Sequence, residues 1–110
     1  MYTMLSTRER ITILLEQSSE FLDVEEIIDL LQLDEKPKVV YEHLKHIAKS
    51  VWRKSNGEKR LVMLLPRCKD CGYVFKDLEE PWKPNKCPRC KSRRIEPPRF
   101  KIVHIQKSKK

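Results

Sequence analysis

The sequence has little glycine and no long apolar run. Only two of its 110 residues are glycine, and no segment is long and apolar enough to form a signal peptide or a membrane-spanning helix. Charged residues make up 36% of the chain and hydrophobic residues 39%, which indicates a helix-rich fold with a modest core and a heavily solvated surface. We therefore expect a cytoplasmic protein.

Residue arrangements typical of enzymes are missing as well. No nucleophile–base pair, phosphate-binding glycine loop or pair of acid–base carboxylates stands out in the sequence. We therefore expect that the protein is not an enzyme.

Acidic residues are scarce in the second part of the chain. Residues 1–35 contain nine acidic and two basic side chains, whereas residues 36–110 contain seven acidic and 22 basic ones. Since this positive charge gathers on particular predicted elements, it favours a polyanionic partner.

Cysteine occurs only as two close pairs, Cys68 with Cys71 and Cys87 with Cys90, with fifteen residues between the pairs. Two residues between paired cysteines let both thiolates of a turn point at a common centre, and Gly72 fits such a turn. In a reducing compartment, paired cysteines bind metal rather than form disulfides. We expect one structural zinc ion, although the spacing also permits a rubredoxin-type iron. A closed set of four ligands leaves no position for a substrate.

Three short helices are predicted ahead of the cysteines. Ser6 and Asp23 each begin a capping box with a glutamate three residues later, and Pro37 suits the first turn of the third helix. Apolar residues recur at helical spacing in all three segments. The buried stripe of the third helix is predicted to consist of Val40, Leu44, Ile47 and Val51.

A β-hairpin is predicted after the third helix. Asn56 and Gly57 tolerate positive φ and lie between two strand-like segments, residues 51–54 and 59–65. Three helices followed by a hairpin, called the wing, describe a winged helix-turn-helix. Residues 99–105 form a further predicted strand. This strand could pair within the cysteine-containing unit, but we favour its return to the sheet of the wing.

These elements predict an α+β fold with three regions. Residues 1–66 are assigned to a winged helix-turn-helix, residues 67–99 to a rubredoxin-like zinc ribbon, and residues 100–110 to a C-terminal strand and basic tail. About thirty residues bury too little apolar surface to fold unaided, so the metal is expected to supply most of the folding free energy of the ribbon. Tyr73, Val74, Phe75 and Trp82 are expected to pack around the metal site.

A winged helix-turn-helix places the exposed face of its third helix in the DNA major groove and its wing on the phosphate backbone. We therefore expect double-stranded DNA as the partner, bound through cations and one tyrosine. The predicted DNA-binding residues are Lys38, Tyr41, Lys45 and Lys49 on the third helix, and Arg53, Lys54, Lys59 and Arg60 in the wing. The ribbon would extend this surface through Lys83, Lys86, Arg89, Lys91, Arg93 and Arg94.

The chain resembles a small archaeal family of predicted transcriptional regulators that combine a winged helix-turn-helix with a rubredoxin-like zinc ribbon. The resemblance lies in the segments VYEHLKHIAK (residues 40–49), CKDCGYVF (68–75), CPRCKS (87–92) and EPPRFK (96–101). It extends from about residue 6 to residue 105. The resemblance implies zinc at the four cysteines, an archaeal cytoplasmic setting and a role in transcription.

Two other functions remain compatible with the sequence. The second predicted helix presents Glu25, Glu26 and Asp29, which would repel a DNA backbone. This acidic surface could instead dock the protein onto RNA polymerase or a basal transcription factor. The four sulfurs could also hold iron in an electron carrier. Many helix-turn-helix proteins read two half-sites as homodimers, and the sequence is compatible with such a dimer.

Overall fold

The computed structural model describes residues 4–76 and 83–105. In these residues the chain forms three helices and five short strands, which confirms the α+β class. The helices are Thr7–Gln17 (α1), Val24–Leu31 (α2) and Pro37–Lys54 (α3). The strands are Leu22–Asp23 (β1), Lys59–Leu64 (β2), Arg67–Cys68 (β3), Ile95–Glu96 (β4) and Arg99–His104 (β5). None of these helices has the length and apolar character needed to cross a bilayer.

Both predicted capping boxes are present. At the start of α1, the Glu9 amide donates to the Ser6 hydroxyl at 3.1 Å and the Glu9 carboxylate accepts from the Ser6 amide at 2.8 Å. Asp23 and Glu26 form the same reciprocal pair at the start of α2. These bonds satisfy backbone amides that have no partner within the helix, so the helix starts follow directly from local sequence.

The hairpin predicted between residues 51–54 and 59–65 is wrong, because residues 51–54 form the last turn of α3. Val51 is buried and continues the apolar stripe of that helix. Asn56 and Gly57 do adopt positive φ values of 56° and 81°. Their turn, however, connects a helix to β2, not one strand to another.

The partner of β2 is β5, which confirms the expected return of the C-terminal strand. The strand order is β1-β5-β2, and the antiparallel pairing of β2 with β5 runs from Lys59↔His104 to Leu64↔Arg99. Alternate residues of this pair face the helices. Twelve buried residues form one core between the sheet and the three helices, namely Ile11, Leu15, Leu22, Val24, Ile27, Val40, Tyr41, Leu44, Ile47, Val51, Phe100 and Ile102.

The β2–β5 pairing continues in the same register beyond a proline-rich break. The first pair of β3 with β4 is Arg67↔Glu96. Arg67 lies three residues after Leu64, and Glu96 lies three residues before Arg99, the partner of Leu64. The unchanged register places Pro66 opposite Pro97, and neither residue has an amide hydrogen to donate. The prolines therefore interrupt the hydrogen bonds between the strands and divide one two-stranded arm into two short sheets.

A second, smaller core lies at the far end of this arm. Cys68, Cys87 and Ile95 are buried there, with Tyr73 and Phe75 packed against them. The rings of Tyr73 and Phe75 meet edge-on with their centroids 5.1 Å apart. Their predicted packing around the metal site is thereby confirmed. The predicted contribution of Trp82 and the predicted basic tail of residues 107–110 lie outside the described residues.

Candidate metal centre and charged surfaces

The two cysteine pairs lie in two equivalent turns. In the first turn the Gly72 amide donates to the Cys68 carbonyl at 2.9 Å, and in the second the Lys91 amide donates to the Cys87 carbonyl at 2.9 Å. The residue that follows each pair has a left-handed backbone, with φ of 81° at Gly72 and 68° at Lys91. The second turn thus repeats the first, with lysine in the position of glycine.

The four sulfur atoms converge on one point. Sγ of Cys68 lies 3.5 Å from Sγ of Cys90, and Sγ of Cys71 lies 3.6 Å from Sγ of Cys87. All four atoms lie within 4.8 Å of one another. Sulfurs bound tetrahedrally to zinc at about 2.3 Å would be about 3.8 Å apart. Soft thiolate ligands at this spacing fit one structural zinc ion.

The thiols of this cluster compete for protons. Burial opposes ionisation of Cys68, but amide hydrogen bonds from Cys71 and Asp70 lower the pKa of its thiol to about 7. A backbone hydrogen bond from Ser92 favours the Cys90 thiolate, but partial burial and the three neighbouring thiols raise the pKa of Cys90 to about 12. Four thiolates therefore need a compensating cation, and zinc supplies two positive charges that favour loss of all four protons.

Asp70 joins the two turns independently of the sulfurs. Its carboxylate accepts a hydrogen bond from the Ser92 hydroxyl and pairs with the Arg94 guanidinium at 3.2 Å. The Lys69 amide next to it donates to the Arg94 carbonyl at 2.8 Å. These contacts fix the first turn against the second, so the ligand set is partly pre-organised. Cys68 and Cys87 are buried, whereas Cys71 and Cys90 face solvent.

Two family models together match most of the chain. Residues 6–62 match the model described as PF0610-like, N-terminal, and residues 66–104 match that of the PF0610 rubredoxin-like zinc β-ribbon domain. The chain belongs to the PF0610-like family. The description of the second model names zinc, in agreement with the ligand set and not with the alternative of iron. Since that model ends at residue 104, it includes β5, although β5 packs in the helical core.

A solved structure supports the same assignment. The solution NMR structure of protein PF0610 from Pyrococcus furiosus matches with a TM-score of 0.73 and 33% sequence identity. The match covers 94% of this chain and 96% of that one. A comparison with curated proteins gives no match.

Tyr41, predicted to contact DNA, is instead part of the core. It is only 6% exposed, and its ring meets that of Phe100 edge-on. Burial, reinforced by the negative charges of Asp23 and Glu25, raises the pKa of Tyr41 to about 12. The prediction that Tyr41 lies on the exposed face of α3 is therefore wrong. Among the lysines predicted on that face, Lys38 and Lys49 are exposed and Lys45 is half-buried.

The four cations assigned to the wing lie in different places. Arg53 and Lys54 are in the last turn of α3, not on a strand. Lys59 begins β2 and pairs with Glu16 at 3.2 Å. The guanidinium carbon of Arg60 lies 4.9 Å from the centroid of the Trp52 ring. They surround the α3–β2 turn, whereas the tip of the two-stranded arm is the zinc ribbon itself.

Sequence reasoning missed two residues of the PF0610-like metal centre, Asp70 and Lys91. Lys91 could have been found by superposing the two cysteine pairs, because it takes the position of Gly72. Asp70 had no such signal. Its partners Ser92 and Arg94 become neighbours only when the four cysteines come together.

Proposed function

We propose that this protein is a zinc-containing transcriptional regulator that binds double-stranded DNA, works in the cytoplasm and is not an enzyme. The chief support is the position of the ribbon. Because the β2–β5 pairing continues in register into β3–β4, a cation-rich ribbon lies at the tip of a long hairpin next to α3. A helical core whose β1-β5-β2 sheet extends into such a hairpin resembles a winged helix-turn-helix, with the ribbon-bearing arm as its wing.

The lysines of α3 give the proposed groove-facing surface. Lys38, Lys45 and Lys49 are spaced by seven and four residues, so they share one side of the helix, away from the buried stripe. Ammonium groups in a major groove contact phosphates and the acceptor atoms of guanine. In this arrangement α3 lies in the major groove, as the family resemblance implies.

The ribbon supplies the second cationic surface. Residues 66–98 contain nine basic and five acidic side chains. The two carboxylates in the part of the ribbon that the structure describes are paired there, Asp70 with Arg94 at 3.2 Å and Glu96 with Arg67 at 3.5 Å. Even with two negative charges from a zinc–thiolate centre, the surface stays positive. It is suited to phosphates that flank the groove occupied by α3.

A titration of zinc-loaded protein into fluorescent random-sequence duplex at several salt concentrations tests the proposal. The double variant Lys38→Gln/Lys49→Gln should bind about tenfold more weakly and show a salt slope smaller by about two. The double variant Gln17→Glu/Gln32→Glu is the matched control, since it changes the net charge equally at exposed positions off the proposed surface. No binding by the wild-type protein at low salt would overturn the proposal.

The acidic side of α2 supports a second candidate, a protein-docking role in transcription. Glu25, Glu26 and Asp29 are exposed and α2 carries no basic residue. Leu30, which follows Asp29 and lies one helical turn after Glu26, is 60% exposed. An exposed leucine bordered by carboxylates suits a basic, partly apolar protein surface. Co-purification of RNA polymerase or a basal factor that is lost in Glu25→Lys/Asp29→Lys, but not in Lys38→Gln/Lys49→Gln, would favour this role over DNA binding.

A further inference from the structure

A groove of about 850 Å³ runs between α1 and the C-terminal half of α3 and continues along the α3–β2 turn. Its volume falls in the range of small-molecule sites, about 300–1,000 Å³. Leu5 and Ile13 line it from the α1 side and are 45% and 38% exposed, while Ile47 and Val51 line it from α3. The groove therefore offers an apolar surface that is accessible to a ligand.

The acidic side chains of the groove already have partners. Glu9 accepts from the Ser6 amide at 2.8 Å, Glu16 pairs with Lys59 at 3.2 Å, and Glu58 lies 3.8 Å from the His104 ring. Each of these carboxylates is thus held by a contact within the protein. These contacts do not neutralise all three carboxylates, but the lining has five basic side chains against three acidic ones, so the groove keeps a net positive charge.

Three of these cations lie on the α3 wall. Lys49, Arg53 and Lys54 line the groove and are exposed. In the described part of the chain, the side chains of Lys49 and Arg53 form no hydrogen bond or ion pair. Hydrogen bonds from Ser6, with a smaller contribution from the charge of Lys54, lower the pKa of Glu9 on α1. An apolar wall thus faces a wall of cations whose charge is not fully balanced.

We propose that this groove binds a small amphiphilic anion, with its charged group at Lys49 and Arg53 and its aliphatic or aromatic body over Leu5 and Ile13. Charge complementarity selects the anion, and the exposed apolar side chains select a ligand with an apolar body over a bare inorganic ion. Lys49 and Arg53 also belong to the expected DNA-binding set. A bound anion would therefore compete with DNA, a consequence that rests on the proposed function, whereas ligand binding itself does not.

The test uses 8-anilinonaphthalene-1-sulfonate as the probe, with zinc-loaded protein and amide NMR shifts as the readout. We expect saturable 1:1 binding with shifts confined to α1, the second half of α3 and residues 55–59. Two compounds should each bind at least tenfold more weakly than the probe. Sulfate lacks the aromatic body of the probe, and N-phenyl-1-naphthylamine lacks its negative charge. The variants Arg53→Gln and Ile13→Ser should each weaken binding of the probe at least fivefold, whereas Lys69→Gln in the ribbon should not.

Unsaturable binding, or shifts mainly in the ribbon or throughout the core, would overturn the proposal. Equal binding of the probe and its neutral analogue would also overturn it, because the cationic wall would then have no role. If duplex DNA shifts the groove amides and the probe does not, the groove belongs to the nucleic-acid surface and the small-ligand proposal fails. Because the probe titration contains no DNA, a failure of the proposed DNA-binding function cannot mask its result.

Discussion

The rings of Tyr41 and Phe100 meet edge-on, with centroids 6.3 Å apart and planes inclined by 66°. Tyr41 belongs to α3, whereas Phe100 belongs to β5, the strand that follows the ribbon in the chain. Phe100 is 2% exposed and also pairs across the sheet with Leu22 and Met63. The helical core is therefore completed by a residue from beyond the ribbon, and residues 1–66 do not contain the whole core.

Replacing Tyr41 with alanine should destabilise the helical core strongly. Truncating a buried aromatic side chain typically costs about 3–5 kcal/mol, because apolar contacts are lost and a cavity remains. Denaturant unfolding of the zinc-loaded protein, followed by circular dichroism, measures the change. Tyr41→Phe keeps the ring and should cost much less. A loss below about 1 kcal/mol for Tyr41→Ala would contradict the buried placement.

Burial of the Tyr41 phenol should also appear in alkaline solution. Its pKa is raised to about 12 in the folded protein, against 10.0 ordinarily. Between these values the unfolded chain loses the proton that the folded protein keeps, so the stabilisation is complete below pH 10 and is lost as pH rises towards 12. Phenolate absorbance should show one tyrosine that ionises late. Tyr41→Phe should remove that phase and flatten the loss of stability with pH. An unchanged titration curve would contradict this expectation.

The sequence was sufficient for features whose cause is local. Capping pairs set the starts of α1 and α2, and the spacing of Cys68, Cys71, Cys87 and Cys90 defined the zinc ligands. Tyr41 was misplaced because tyrosine suits both a core and a surface, and the residue that buries it lies 59 positions later. No local pattern of α3 contains Phe100. Such a contact arises only when the arm brings β5 back to the sheet.

The β-hairpin predicted between residues 51–54 and 59–65 was wrong for a different reason. The Asn56–Gly57 signal correctly predicted two residues with positive φ, but this backbone also serves to end a helix. Val51 satisfies both a strand pattern and the last position of the apolar stripe of α3. The packing of Val51 against the core favours the helix over the strand. The hairpin of the structure is formed by β2 and β5, and the ribbon connects these two strands. A search for short turns cannot reveal a hairpin with such a long connection.

Removing zinc should unfold the ribbon and leave most of the helical core folded. The small core of Cys68, Cys87 and Ile95 is separate from the twelve-residue core and depends on the metal for most of its stability. Chelator titration followed by amide NMR should collapse the ribbon signals first, and metal analysis should give one zinc per chain. Cys87→Ser should abolish binding. Simultaneous loss of the helix signals at the same chelator concentration would contradict this separation.

The two equivalent cysteine turns should respond in opposite ways to substitution. Lys91 has a left-handed backbone, which costs a residue other than glycine about 1–2 kcal/mol, so Lys91→Gly should raise zinc affinity. Gly72→Ala should lower it. No heavy atom outside the neighbouring residues lies within 4 Å of the added Cβ, so this loss would come from backbone strain alone. Competition with a zinc-binding dye measures both variants. Changes in the same direction would contradict the equivalence of the turns.

Gly57 and Trp52 should be energetically coupled in the α3–β2 turn. The φ of Gly57 is 81°, and a Cβ added there would lie 3.2 Å from the ring of Trp52. Gly57→Ala should therefore destabilise the protein by about 2 kcal/mol, partly through backbone strain and partly through crowding of the indole. In a Trp52→Ala background the crowding is absent and only the strain remains, so the same substitution should cost about half as much. A double-mutant cycle from denaturant unfolding measures this difference. Equal costs in both backgrounds would mean that the indole moves aside freely and that backbone conformation alone requires glycine at this turn.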